Sequence, residues 1–131
     1  MACKPILIVE DAPDIREALQ TFFQSEGYPV LLAKHGQAAL DLLNICTTTN
    51  PGLIFLDLMM PVMDGPTFLS KLEQSHPIIF ERTPIFIISA GSTTQPSIKV
   101  SGFLKKPFDL DELSSLAARY CSDQGLNQTL S

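Results

Sequence analysis

Polar residues able to handle phosphate or metal follow several apolar runs of this sequence. Glu10 and Asp11 follow one run, Asp57 follows another, and Ser89 and Lys106 stand after two more. Carboxylate oxygens are ligands that Mg²⁺ prefers, and an Asp carboxylate can attack a phosphoryl group to form an acyl phosphate. A hydroxyl and an ammonium group are suited to the phosphoryl oxygens. The combination predicts acceptance of a phosphoryl group on Asp57 with a divalent cation.

Each of these residues also has a purely structural interpretation. Asp11 is placed to cap a following helix, and Asp57 could form a turn. Asp57 nevertheless lies between apolar stretches, where an uncompensated carboxylate is costly. Ser89 alone would satisfy nearby backbone, and Lys106 alone would be a solvated charge. These residues indicate chemistry only when taken together, because three converging carboxylates repel each other unless a cation lies between them.

Short apolar runs predict five strands that would bring these residues together. The predicted strands cover residues 5–9, 28–33, 53–56, 84–88 and 102–104. Segments with helical spacing alternate with them, and this alternation predicts an α/β fold with a parallel sheet between helices. In such sheets the functional residues collect at the carboxyl ends of the strands.

The helix signals are clear except in one place. Pro13 in a first turn and Gly27 at a C-terminus bound the first helix, and Asp109 is placed to cap the last one. Residues 90–105 are poor helix formers, because they contain Gly91, two threonines and Pro96 and lack a helical apolar period. The helix between the fourth and fifth strands is therefore predicted to be absent or reduced to about one turn.

Composition predicts one soluble domain, at residues 1–121, with a polar tail at 122–131. The net charge of −5 argues against nucleic-acid binding, which needs a basic surface. Cys3, Cys46 and Cys121 are scattered, as expected of free thiols in a reducing compartment. No apolar run has the length of a membrane span, so we expect a cytoplasmic protein without membrane association.

Four segments resemble the motif blocks of bacterial response-regulator receiver domains, in the same order: ILIVED, IFLDLMMPVMDG, IISA and FLKKPF. The resemblance spans about residues 4–120. It implies a flavodoxin-like, doubly wound sheet of five parallel strands in the order 2-1-3-4-5. It also implies a histidine kinase or histidine phosphotransfer protein as the phosphoryl donor. A stand-alone receiver of this kind would signal by docking an unidentified downstream protein or by relaying the phosphoryl group.

The resemblance also implies a metal site. Glu10 and Asp11 match the acidic pair of the family, and Asp57 matches the phosphoacceptor. The backbone carbonyl of Met59 would be a further ligand of Mg²⁺ or Mn²⁺.

The remaining matched residues concern the phosphoryl group and the response to it. Ser89 matches the switch hydroxyl, and Lys106, directly before Pro107, matches the lysine that contacts the phosphoryl group. The bond before Pro107 is expected to be cis. Phe103 matches the aromatic residue that reorients with the hydroxyl, although without the resemblance it would equally be a core phenylalanine.

Three other functions compete with phosphoacceptance for signalling as interpretations of this sequence. A phosphatase of the haloacid-dehalogenase type would need a second Asp two residues after the first, where this chain has Met59. A flavodoxin would need a hydroxyl-rich phosphate loop after the first strand. A receiver-like binding module that is not switched by phosphorylation remains the alternative. We expect a signalling protein rather than a turnover enzyme, with slow self-dephosphorylation.

Overall fold

The computed structural model describes residues 4–45, 50–57, 63, 65–89, 100–106 and 108–121. Three expectations concern residues outside these ranges: the carbonyl of Met59, the bond before Pro107 and the shortened helix between the fourth and fifth strands. The tail at 122–131 also lies outside them. These four expectations stay predictions.

The described strands form one parallel sheet with the order β2-β1-β3-β4-β5, as predicted. They are β1 (Ile6–Val9), β2 (Val30–Ala33), β3 (Leu53–Asp57), β4 (Ile85–Ser89) and β5 (Gly102–Lys105). β1 and β3 lie at the centre and are buried along their whole length, which explains their continuous apolar sequences. β2 and β5 are the edge strands.

The described helices pack on both faces of the sheet, so the fold is doubly wound. They are α1 (Pro13–Ser25), α2 (Gly36–Ile45), α3 (Gly65–Ser75), α4 (Pro77–Arg82) and α5 (Leu110–Cys121). Gly27 follows α1 with φ of +94°, the conformation that favours glycine, and its N–H donates to the Gln24 carbonyl at 3.0 Å. At α5, Asp109 Oδ1 accepts from the Asp111 N–H at 3.0 Å, as the predicted cap requires.

Alternate residues of the central strands feed two separate cores. Leu7 and Ile54 point with their neighbours toward α2, α3 and α4, whereas Ile8 and Phe55 point toward α1 and α5. Phe55 stacks on Phe23 of α1, with ring centroids 5.5 Å apart. Because both sheet faces are covered, the carboxyl ends of the strands are the place where polar side chains can gather.

Helix α4 was missed by the sequence analysis. Pro77 disfavours helical backbone at the residue before it, and His76 accordingly has φ −136° and ψ 66°, which ends α3. Pro77 then starts a new helix of six residues, where its missing N–H costs nothing. His76 Nε2 lies 2.8 Å from Asn44 Oδ1 of α2. The break turns the chain so that α4 can bury Ile79 in the core and pack the partly buried Phe80 against it.

Two adjacent isoleucines of α4 provide a test of this packing. Ile79 is 6% exposed and Ile78 is 59% exposed. We expect Ile79→Ala to lower the free energy of unfolding by about 2–4 kcal/mol, because it leaves a cavity. Ile78→Ala, the matched control, should change it by less than about 0.5 kcal/mol. Urea unfolding followed by circular dichroism measures both, and equal losses would contradict the orientation of α4.

Candidate functional site

The sheet brings the predicted site residues to one edge. Glu10 directly follows β1, Asp57 ends β3, Ser89 ends β4 and Lys106 directly follows β5. The strand register aligns these ends, since Asp57 pairs with Ile88 and Ser89 pairs with Lys105. Residues far apart in the sequence thus share one end of the sheet.

The carboxylates of Glu10, Asp11 and Asp57 form an acidic cluster. One oxygen from each lies within 4.8 Å of the other two. Glu10 is fully buried, Asp57 is 7% exposed and Asp11 is half-buried. Three oxygen donors at this spacing fit a hard divalent cation, which would offset their mutual repulsion. This acidic cluster could bind a metal ion.

Asp11 does not cap α1, so the structural interpretation of this residue is wrong. The N-cap position of α1 belongs to Ala12, and no side chain makes a capping hydrogen bond there. The carboxylate of Asp11 is left for the acidic cluster.

Lys106 forms an ion pair with Glu10. Its Nζ lies 3.0 Å from Glu10 Oε1, and its side chain is 18% exposed. Within the described residues Oε1 accepts no hydrogen bond of good geometry, so this charge contact is its compensation there. The other oxygen, Oε2, accepts from the Ala12 N–H at 3.1 Å. A fully buried carboxylate needs such partners, because removal from water costs several kcal/mol.

The two lysines at the end of β5 have different surroundings. Lys105 is exposed, whereas Lys106 turns inward to the acidic cluster. Phe103, on the same strand, is 43% exposed, so the alternative of a core phenylalanine is wrong.

Arg16 is a residue of this region that the sequence analysis did not single out. Its Nη1 donates to the carbonyl oxygens of Glu10, at 2.9 Å, and of Asp11, at 3.3 Å. The sequence signal was only an arginine one turn into a helix that follows two acids. Such an arginine would ordinarily be assigned to the solvated face of the helix.

Comparison with known proteins agrees with the sheet order and the acidic cluster. The model of the response regulator receiver domain family matches residues 6–118. The chain belongs to this family, whose members are phosphoacceptors of two-component signalling. Receiver domains work with histidine kinases and are signalling proteins rather than ordinary enzymes.

Individual relatives show the same pattern. The chain is 34% identical to sporulation initiation phosphotransferase F of Bacillus subtilis, across 92% of this chain and 95% of the relative. It is 26% identical to chemotaxis protein CheY4 of Vibrio cholerae, with a TM-score of 0.78 over 91% of this chain and 99% of the other. It is 28% identical to response regulator TrrA of Thermotoga maritima, solved with Mg²⁺ and BeF, with a TM-score of 0.72 over 88% and 97%.

Other relatives are longer proteins. The chain spans between 12% and 52% of the length of five further curated relatives, among them transcriptional regulators and a sensor histidine kinase. Within the described ranges no helix combines the length and the apolar character needed to cross a membrane.

The ion pair between Lys106 and Glu10 gives a prediction for stability and metal affinity. Lys106→Met leaves the buried Glu10 carboxylate without the lysine ammonium. We therefore expect the free energy of unfolding in EDTA to fall by about 1–3 kcal/mol. The same change should tighten Mg²⁺ binding several-fold, since a competing positive charge is gone. Thermal unfolding at increasing Mg²⁺ concentrations measures both effects.

Lys105→Met is the matched control, because it removes the same charge from the exposed neighbour. We expect it to leave the melting temperature in EDTA nearly unchanged. Equal melting temperatures and equal Mg²⁺ affinities for the two variants would show that the contact between Lys106 and Glu10 does not contribute to stability.

Proposed function

We propose that this receiver domain accepts a phosphoryl group on Asp57 from the phosphohistidine of a histidine kinase or histidine phosphotransfer protein. The observation that carries the proposal is the acidic cluster, with Lys106 beside it at the end of the sheet. The relative TrrA, solved with Mg²⁺ and BeF, supports the proposal by analogy. That complex holds Mg²⁺, the metal expected at the acidic cluster, together with a beryllium fluoride. The modified protein would then dock a downstream protein or pass the phosphoryl group on.

The residues that would hold Mg²⁺ or Mn²⁺ are Glu10, Asp11 and Asp57, with the backbone carbonyl of Met59. Asp11 would be the more direct ligand and Glu10 would act through water, because Glu10 already pairs with Lys106. When bound, the cation supplies neutralisation of the charge on the carboxylates and the phosphoryl oxygens. The other parts of the proposed reaction depend on residues of the chain itself.

In the transfer step, an Asp57 carboxylate oxygen attacks phosphorus while the phosphorus–nitrogen bond of the donor breaks. Asp57 becomes an acyl phosphate, and the donor histidine, which carries a proton on its other ring nitrogen, leaves as neutral imidazole with the electron pair of the broken bond. Asp57 is 7% exposed and ends β3, so a donor would approach it from the carboxyl end of the sheet.

The phosphoryl group then competes for Lys106. Its oxygens are stronger partners for the ammonium than one carboxylate already shared with the Ala12 N–H. We propose that Lys106 moves from Glu10 to the phosphoryl group, that the Ser89 hydroxyl donates to another of its oxygens, and that the Phe103 ring follows. Water slowly hydrolyses the acyl phosphate, which returns the protein to its starting state.

Phosphorylation by a small donor tests the assignment of Asp57. With phosphoramidate and Mg²⁺, we expect the intact mass to rise by one phosphoryl group and borohydride trapping to locate it at Asp57. Asp57→Asn should abolish the modification. Asp14→Asn, which removes the same charge from an exposed position of α1, is the control and should be modified like the wild type.

Two results would count against the proposal. Labelling that persists in Asp57→Asn would place the phosphoryl group elsewhere. A wild-type protein that takes no phosphoryl group from phosphoramidate or a phosphohistidine donor would favour the alternative, a binding module that phosphorylation does not switch.

The movement of Phe103 can be followed with a single fluorophore. The chain contains no Trp, so Phe103→Trp introduces the sole indole. We expect beryllofluoride with Mg²⁺ to shift its emission to shorter wavelength, because the ring becomes less exposed than 43%. Adding Asp57→Asn should remove the response, and adding Ser89→Ala should weaken it. An unchanged spectrum would argue against an aromatic switch.

A further inference from the structure

Arg16 holds the backbone on both sides of Asp11. The carbonyls that accept from its Nη1 belong to the Glu10–Asp11 peptide group and the Asp11–Ala12 peptide group. Fixing these two planes fixes φ and ψ of Asp11, and thereby the direction of its side chain. Arg16 itself is half-buried in the first turns of α1, where its own N–H donates to the Ala12 carbonyl at 2.9 Å.

The segment between β1 and α1 needs such a restraint. It carries two carboxylates that repel each other and Asp57, and it lies beyond Val9, the last residue of β1 that is paired in the sheet. Glu10 still reaches β2, through an N–H that donates to the Ala33 carbonyl at 3.0 Å, and Ala12 is tied to Glu10 Oε2. Arg16 adds the restraint at Asp11, between these two ties.

We propose that Arg16 is a positioning residue for the metal site, acting through the backbone of Glu10 and Asp11. The inference rests on the proposed function, in which these two residues hold Mg²⁺. Mg²⁺ requires nearly octahedral geometry with ligands at about 2.0–2.1 Å, so small displacements of Asp11 weaken binding. Removal of outer partners of metal ligands typically costs about 10–100-fold in affinity.

If Arg16 acted only through its charge, its removal would change the Mg²⁺ affinity in the opposite direction. A guanidinium near a divalent cation repels it, so an arginine that acts only by its charge weakens Mg²⁺ binding, and its removal strengthens it. A positioning arginine strengthens binding, and its removal weakens it. Both contacts come from Nη1, and lysine keeps the charge but carries its nitrogen one bond nearer the backbone, so it cannot reach the two carbonyls in the same way. Arg16→Lys therefore separates charge from positioning a second time.

The experiment is Mg²⁺ titration of the full chain by calorimetry, with the melting temperature of each variant measured in EDTA. We expect Arg16→Ala to bind Mg²⁺ about tenfold or more weakly and Arg16→Lys to show a smaller loss. Saturating Mg²⁺ should restore most of the phosphoramidate rate of Arg16→Ala, a recovery that a merely misfolded variant would not show. Arg119→Ala removes the same charge from the last turn of α5 and should bind like the wild type.

The outcomes are distinguishable. Unchanged or tighter Mg²⁺ binding by Arg16→Ala, with normal binding by the wild type, overturns the inference and leaves the proposed function intact. Loss of phosphorylation in Asp57→Asn but no Mg²⁺ binding by the wild type overturns both the inference and the metal part of the proposal. If Arg16→Ala does not fold, Arg16→Lys decides: affinity equal to that of the wild type contradicts positioning.

Discussion

The carboxylate of Glu10 is fully buried, so the residues at this end of the sheet must compensate its charge. It directly follows a strand in which every residue is buried, so water does not compensate its charge. The described partners are the ammonium of Lys106 and the N–H of Ala12. One of these comes from the next turn of the chain, but the other comes from the far side of the sheet. The folded state therefore depends on bringing β5 and its lysine into place.

The strand order determines which residues lie beneath this ion pair. Glu10 follows β1 and Lys106 follows β5, and β3 and β4 lie between these strands. The pair consequently passes over the ends of β3 and β4, where Asp57 and Ser89 stand. Under the proposed function, a phosphoryl group on Asp57 would enter the space between Glu10 and Lys106 and would offer Lys106 more oxygens. The ion pair that compensates the buried Glu10 carboxylate would then compete with the phosphoryl group for the same ammonium.

Much of this arrangement follows from the sequence. Continuous apolar runs identified β1 and β3, and their abrupt ends at Glu10 and Asp57 identified the site, because a parallel sheet gathers such ends. Helix α4 was not predictable in the same way. Its six residues are too few for a helical period, and its position depends on packing of Ile79 rather than on local preference.

The roles of individual charges were harder to predict than their meeting place. The sequence led us to expect Lys106 at the phosphoryl group, but which carboxylate it contacts beforehand depends on side-chain distances that strand order does not fix. Arg16 escaped notice because its partners are backbone carbonyls, and a sequence pattern contains no signal for them. Asp11 had two interpretations until the N-cap of α1 was placed at Ala12.

β1 and β5 differ in how firmly pairing and burial hold them, and this difference indicates which strand moves if Lys106 leaves Glu10. β1 pairs with strands on both sides and all of its residues are buried, so it cannot shift without disturbing both cores. β5 pairs with β4 alone, and of its four residues Leu104 is the buried one. If the ammonium leaves Glu10, the displacement is absorbed by the strand that is held less firmly. Phe103 lies on that strand with its ring partly in solvent, so under the proposed function the edge at β5 is where phosphorylation of Asp57 would alter the surface of the protein.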